Sequence, residues 1–389
     1  MKNYELKMID NNTHTRPLKI AIIGSRGYPH VYSGYETLIK ELSERLTDRG
    51  CQVTVYCHRN LFTKKPAIVK GIKLVYVPTV ETKSLSQLIH SFLSMCYAVV
   101  SDVDVIFVVN AANGPFGLIS KLFRKPTAIN VDGLEWLRPK WKGLGAKYFR
   151  IAARLSTILY DKIINDSDEM RKVYLKEFNK DSVVIAYGAT VKKSENADLI
   201  KTWGIEPQQY YLVVGRMIPD NNADVIINGF LASASTKKMV VVGDVFYKDA
   251  YADKLKAIKD DRLIFTGYVY NPEILAALYH HCYAYVHGHE YGGTNPTMIK
   301  AMAYGCAILA LETVFNREML ADGLYGMYFE KNTNAVTAQI AFADQHPEAM
   351  KKLRESAHLG ITDKYNWDCI TNQYLEVFRR LAKKRKRRL

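Results

Sequence analysis

An apolar run, LKIAIIG (Leu18–Gly24), passes through a glycine-bearing loop into ETLIKELSERLTDRG (Glu36–Gly50) and then into a second apolar run, CQVTVYC (Cys51–Cys57). Leu38, Ile39, Leu42 and Leu46 recur at helical spacing, and Gly50 closes the segment. Strand, helix, strand in that order implies a right-handed crossover and a parallel sheet. The alternation continues through IKLVYV, DVIFVVN, TAINVDG, KIIND and SVVIAYG, with helical patterns between most of them. It breaks at the polar stretch GATVKKSENADLIKTWGIEPQQ and restarts at YYLVVGR, KMVVVGD, RLIFTGYV, CYAYVHG and CAILAL. A chain of 389 residues is too long for one small core. The reading is an α/β protein of two tandem Rossmann-like, doubly wound domains that face each other across a cleft. The expected boundaries are a flexible segment over 1–17, a first domain over 18–192, a second over 193–362, and a last helix with a basic tail over 363–389.

The net charge of +15 is concentrated. Arg379, Arg380, Lys383, Lys384, Arg385, Lys386, Arg387 and Arg388 supply eight cations, leaving 15 − 8 = +7 for the rest of the chain. Such a tail suits an anionic membrane surface. A solvated helix end and nucleic acid are the other readings, and nucleic acid is not expected for a chain with two ligand-cleft domains. The six cysteines form no CxxC pair and no zinc-spaced cluster, so they read as buried free thiols and no metal site is expected. The first residues lack the apolar core of a signal peptide. The longest apolar segment, Leu88–Val100, has 13 residues and reads as a buried helix rather than a membrane span.

Ligands of doubly wound sheets bind beyond the carboxyl ends of the strands, so the loops there carry the candidate chemistry. The first, GSRGYPHVYSGYE, contains Gly24, Gly27 and Glu36, and it lacks the spacing and the acidic residue of a dinucleotide fingerprint. In the second, NVDGLEWLRPKW, Asp132 and Glu135 are acceptors for sugar hydroxyls and Trp136 is either a stacking platform or a buried anchor. The third, VVGRMIPDNNADVI, puts Arg216 beside a helix start, which is an anion site or simple capping by Asp220, Asn221 or Asn222. The fourth runs from His287 and His289 through Gly292, Gly293, Thr294 and Asn295 to Lys300. Two glycines let a backbone approach a ligand closely, and the amides at the following helix start suit a diphosphate. Lys300 reads equally as a ribose or phosphate contact and as a solvent-facing residue.

The stretches KIAIIGSRGYP, YSGYET, NVDGLEW, VIAYGA, YYLVVGRMIPDNN and YVHGHEYGGTNPTMIKAMAYG, in that order, resemble the GT-B family-4 glycosyltransferases, and within them the rhamnosyltransferase-type branch of bacterial polysaccharide synthesis. The resemblance implies a GT-B fold, retention at the anomeric carbon, no divalent metal, and a last helix that crosses back to the first domain. It implies no cofactor beyond a nucleotide-sugar co-substrate, with dTDP-rhamnose as the candidate. It also implies a lipid-linked saccharide acceptor and a cytoplasmic protein peripheral to the inner membrane face. On this basis Asp132 and Arg216 are the catalytic candidates. Donor binding falls to Gly27, Arg216, Asn221, His289, Gly292, Gly293, Thr294, Asn295 and Lys300, and acceptor binding to Glu36, Glu135 and Trp136. Three positions depart from the family pattern. Lys300 replaces a ribose-binding glutamate and cannot accept hydroxyl protons. Ser33 replaces a glycine, and Asn221 or Asn222 replaces a phosphate-binding lysine. The alternative reading is a non-catalytic GT-B partner in a polysaccharide assembly complex.

Overall fold

The computed structural model describes residues 16–29, 34–80, 82, 85–138, 141, 143–245 and 248–386. Ser33, the end of the basic tail and all but Arg16 and Pro17 of the segment expected to be flexible lie outside them. Arg16 is held, with Nη2 at 2.5 Å from Asp104. Asp104 also accepts from the Lys19 amide at 3.0 Å, so the acidic pair Asp102 and Asp104 ties down the first strand.

The first domain is an eight-stranded sheet: β1 (Lys19–Ile23), β2 (Gln52–His58), β3 (Ile68–Val69), β4 (Ile72–Val77), β5 (Val105–Val109), β6 (Thr127–Val131), β7 (Lys162–Asn165) and β8 (Val183–Val184). The second has six strands: β9 (Tyr210–Val214), β10 (Lys238–Val242), β11 (Leu263–Gly267), β12 (Ala284–His287), β13 (Ile308–Leu311) and β14 (Met327–Phe329). The spatial orders are β3-β4-β2-β1-β5-β6-β7-β8 and β11-β10-β9-β12-β13-β14, parallel except for the short edge pair β3–β4. Both sheets reverse direction of winding at their first strand, between β1 and β5 and between β9 and β12. These are the switch points where doubly wound sheets open a crevice.

Alternate residues of each buried strand feed opposite layers. In the first sheet Ile20, Ile22, Val105 and Phe107 pack with Leu38, Ile39 and Leu42 of the helix Gly34–Asp48. Ala21, Ile23, Ile106 and Val108 pack on the other side with Met95 and Ala98, Ala153, and Met170. The last helix, Trp367–Lys386, returns to the first domain. Its Tyr374 and Phe378 rings lie 5.3 and 5.4 Å from Phe107, and Asp368 meets Arg49 at 2.8 Å. The chain crosses between domains where Ala189 donates to Tyr365 O at 2.9 Å. The apolar segment around Met95 is a helix, Ser86–Val100, packed by one side on the sheet. Cys57, Cys282 and Cys306 are buried free thiols as read from the sequence, whereas Cys369 is exposed.

Candidate active site

The loop after β1 is shaped by a close approach. Gly27 has φ +124°, and a Cβ there would stand 2.8 Å from Cys57 Sγ at the end of β2. Only glycine satisfies both demands. The loop is then closed by Glu36, 3% exposed, whose carboxylate accepts from the Arg26 amide at 3.0 Å.

At the end of β6, Asp132 accepts hydrogen bonds from Tyr35 and, at 2.5 Å, from Tyr187. Burial raises its pKa against those two donors and the nearby Arg138 charge. Glu135 accepts from Trp141 Nε1 at 2.9 Å and pairs with Arg138 at 3.0 Å. Arg138 then crosses the cleft. It donates to Tyr291 O at 3.1 Å, and its Nε lies 3.9 Å from Asp220, which is 1% exposed.

The glycine loop after β12 is joined to the first domain more tightly still. The Gly293 amide lies 3.4 Å from Asp132 O. The Thr294 amide donates to Asp166 Oδ2 at 2.8 Å, and the Thr294 hydroxyl donates to Asp166 O. A Cβ on Gly293 would fall 2.0 Å from Asp166 Oδ1, so no other residue fits. Asp166 is 1% exposed, and its Oδ1 has no hydrogen-bond partner among the described residues. Burial, and next the charge of Asp132, hold its pKa well above the usual carboxylate range. Glu318 makes a second bridge, accepting from the Asp168 and Glu169 amides at 2.9 Å each.

Around this loop the second domain supplies His289, whose Nδ1 lies 2.9 Å from Asn221 Oδ1, while Asn221 Nδ2 donates to Arg216 O at 2.8 Å. Burial, then the charges of Arg138, His287 and Arg216, hold His289 well below the usual imidazole range. Burial alone takes His287 down to about 3. Both rings are therefore neutral at neutral pH. The Arg216 side chain is exposed and has no hydrogen-bond or ion-pair partner among the described residues.

Residues 18–190 match the family described as a domain of unknown function, DUF1972. Residues 208–344 match the family described as glycosyl transferases group 1. The second domain is therefore the part of the chain that matches a glycosyltransferase family. Sucrose-phosphate synthase from Thermosynechococcus elongatus superimposes with TM-score 0.77 at 15% identity, over 94% of this chain and 99% of that one. Anabaena HepE, solved with UDP-glucose, gives 0.72 at 15% identity over 92% and 98%. A glycosyltransferase from Rickettsia africae gives 0.71 at 14% identity over 95% and 100%. A search of curated protein sequences found no match. The architecture is GT-B, as the resemblance implied, and the comparisons together support a GT-B glycosyltransferase.

In the group 1 domain Gly292, Gly293, Thr294, Asn221 and His289 converge on one side of the cleft, with Arg216 beside them. Asn295 caps the next helix by accepting from the Thr297 amide at 2.9 Å. Lys300 lies one turn on, in the helix Pro296–Ala303, half-buried and with no hydrogen-bond or ion-pair partner among the described residues. Burial lowers its pKa against the pull of Glu41 across the cleft. Lys300 thus faces the first domain rather than open solvent.

In the DUF1972 domain Asp132 is at the cleft and meets the glycine loop. Glu36 and Glu135 hold their own loops together. Trp136 sets its ring edge-on to Tyr174 and Phe178, at 6.4 and 5.8 Å, among residues of the core under the sheet. Trp136 is half-buried at these contacts, so it anchors its loop while part of the ring stays exposed. Asp166, Asp220 and Glu318 were not singled out as site residues from the sequence. Of the three, Asp220 alone was named there, as a capping candidate. Among the described residues no group of three or more His, Cys, Asp or Glu side chains could hold a metal ion. No helix among them is long and apolar enough to cross a membrane.

Proposed function

We propose that the protein transfers a sugar from a nucleotide diphosphate donor, with retention at the anomeric carbon, to a lipid-linked saccharide. Rhamnose from dTDP-rhamnose is the candidate donor. The observation that carries this reading is the Arg216 guanidinium, without a partner among the described residues, beside a loop so close-packed that Gly293 admits no side chain. A cation without an internal partner next to backbone amides at a helix start is suited to a leaving diphosphate. Stabilising the charge that develops on that group is the largest contribution a protein makes to such a transfer. Neutral His289, held by Asn221, offers a hydrogen bond without adding charge. Asp132, whose backbone oxygen meets the same loop and whose carboxyl pKa is raised by burial, is assigned the acceptor hydroxyl proton. HepE, a structure of the same fold, was solved with UDP and UDP-glucose, which agrees with a nucleotide-sugar donor here.

A second reading rests on the same loop. The Thr294 amide is already taken by Asp166, and Lys300 stands where the family has a ribose-binding glutamate. Those two features fit a GT-B protein that serves an assembly complex without catalysis. Calorimetric titration with dTDP, UDP and GDP, and with their common sugar conjugates, separates the two. Selective saturable binding supports the transferase and names the base, and no binding by folded protein supports the partner.

A further inference from the structure

The helix Leu144–Leu159 carries no acidic residue, and its inner side is small and buried: Ala152, Ala153, Ser156 and Thr157. Its outer side is occupied by Leu144, Lys147, Arg150, Ile151, Arg154 and Ile158, all exposed. With 3.6 residues per turn these six fall within about 120° of arc. The cations occupy one side of that arc and the apolar residues the other. Leu144 is 86% exposed, Ile151 49% and Ile158 53%. The patch does not end with the helix. Lys121 Nζ donates to Ile158 O at 3.0 Å, which brings Leu122 (73% exposed), Phe123 (52%) and Leu118 (53%) alongside. Lys121 and Arg124 accompany them, so the extension repeats the same mixture.

We propose that this face, and not the basic tail, is where the protein rests on an anionic lipid surface. An interfacial helix buries an apolar strip at the headgroup boundary and keeps cations beside it at headgroup level. That is the arrangement here, and each cation near such a surface adds attraction. A second copy fits poorly. Antiparallel two-fold pairing along this helix would set Lys147 and Arg154 of one copy against Arg154 and Lys147 of the other, and the neighbouring acid Glu177 is already paired with Arg150 at 2.9 Å. The helix that leads into the tail lies elsewhere: it packs on the Phe107 side of the first sheet, while the helix Leu144–Leu159 packs on the Ile106 and Val108 side. The patch belongs to the first domain, which the proposed function assigns to the acceptor. The proposal therefore rests on that reading for its purpose, though not for the binding itself.

The test is co-sedimentation of the full chain with vesicles of phosphatidylcholine alone, and of phosphatidylcholine with about one-third phosphatidylglycerol. Four proteins are compared: the native chain, Ile151→Glu/Ile158→Glu, Lys147→Glu/Arg154→Glu, and Lys383→Glu/Lys384→Glu. The first two altered pairs are exposed, and unchanged thermal melts check that they fold. Expected is salt-sensitive binding of the native chain to the anionic vesicles, a loss of about tenfold or more in both stripe variants, and binding within about threefold of native in the tail variant. The proposal is overturned if the stripe variants bind like the native chain, if only the tail variant loses binding, or if the native chain binds neither vesicle. It is overturned equally if the native chain elutes as a dimer that Ile151→Glu/Ile158→Glu dissolves without any vesicle binding. Nucleotide titration of the same preparations reads the donor site separately, so failure of one leaves the other standing.

Discussion

On the first-domain rim of the cleft, Asp132 accepts from Tyr35 and Tyr187, Glu36 from the Arg26 amide, and Glu135 from Trp141 and Arg138. On the second-domain rim, Arg216 and Lys300 have no such partner among the described residues. The two domains share one winding order, so the difference does not come from architecture. Buried or half-buried charge normally finds a partner, because desolvation without one is unfavourable. A rim whose charges are matched internally is a scaffold for its own loops. On the proposed reading, the cations of the second rim await the donor diphosphate. Asp166 joins the two: it reaches from the first domain onto the Thr294 amide, the position a donor phosphate is proposed to take.

The largest effect expected from this contrast is at Arg216. Arg216→Ala should reduce donor turnover about a hundredfold, or about 2.8 kcal/mol, because a charged hydrogen-bonding partner of the diphosphate is lost. The melting temperature should stay unchanged, since the side chain is exposed and has no hydrogen-bond or ion-pair partner among the described residues. Steady-state kinetics with the nucleotide sugar found by titration checks it, and full turnover would make the second rim no different from the first. Next is Asp166→Asn, which keeps an acceptor for the Thr294 amide and cannot ionise, so at pH above the elevated pKa of Asp166 it removes a negative charge from the proposed phosphate position. Nucleotide diphosphate should bind about tenfold more tightly, about 1.4 kcal/mol. Weaker binding in calorimetry would mean that Asp166 assists the donor rather than competing with it. Lys300→Met should weaken donor binding by a smaller factor, about threefold to fivefold, by removing a cation that has no other task. Unchanged affinity would return Lys300 to a role between the domains, near Glu41.

The least perturbing test is pH. Asp132 and Asp166 have pKa values raised in the fold, so their contribution to stability is complete below the ordinary carboxylate range and is lost as pH rises through their elevated values. His287 and His289 have lowered values, so their contribution is present above the ordinary imidazole range and is lost as pH falls toward about 3 for His287. The two rims should therefore titrate with opposite slopes. In urea unfolding across pH, Asp166→Asn should flatten the loss on the alkaline side and leave the acidic side intact. A variant with no change on either side would break the assignment of that slope to the first rim.

Much of the fold was legible because its signals are local. Strand runs such as DVIFVVN and YYLVVGR, helical spacing at Leu38, Ile39, Leu42 and Leu46, and the closing Gly50 each speak for a few neighbouring residues. The glycine loop at Gly292 and Gly293 was legible too, since a glycine pair between a strand and a helix start has few structural explanations. The short edge strand β3 and the strand β14 were not, being two and three residues long with no distinct pattern. Trp136 shows the limit for side chains. Its spacing in NVDGLEW is the same whether the indole stacks on a sugar or packs on Tyr174 and Phe178, and only its neighbours in space show the packing.

By itself the sequence determined the alternation of strands and helices, the break between two halves, and the loops at the carboxyl ends of the strands, because backbone conformation and amphipathic period are written over short distances. Tertiary structure alone decided that Asp166 meets Thr294 across 128 residues of chain, that Arg138 reaches Tyr291 across 153, and that Arg216 is left unmatched among the described residues. Whether a charge is satisfied depends on which groups the folded chain brings within hydrogen-bond reach, and no spacing along the chain encodes that.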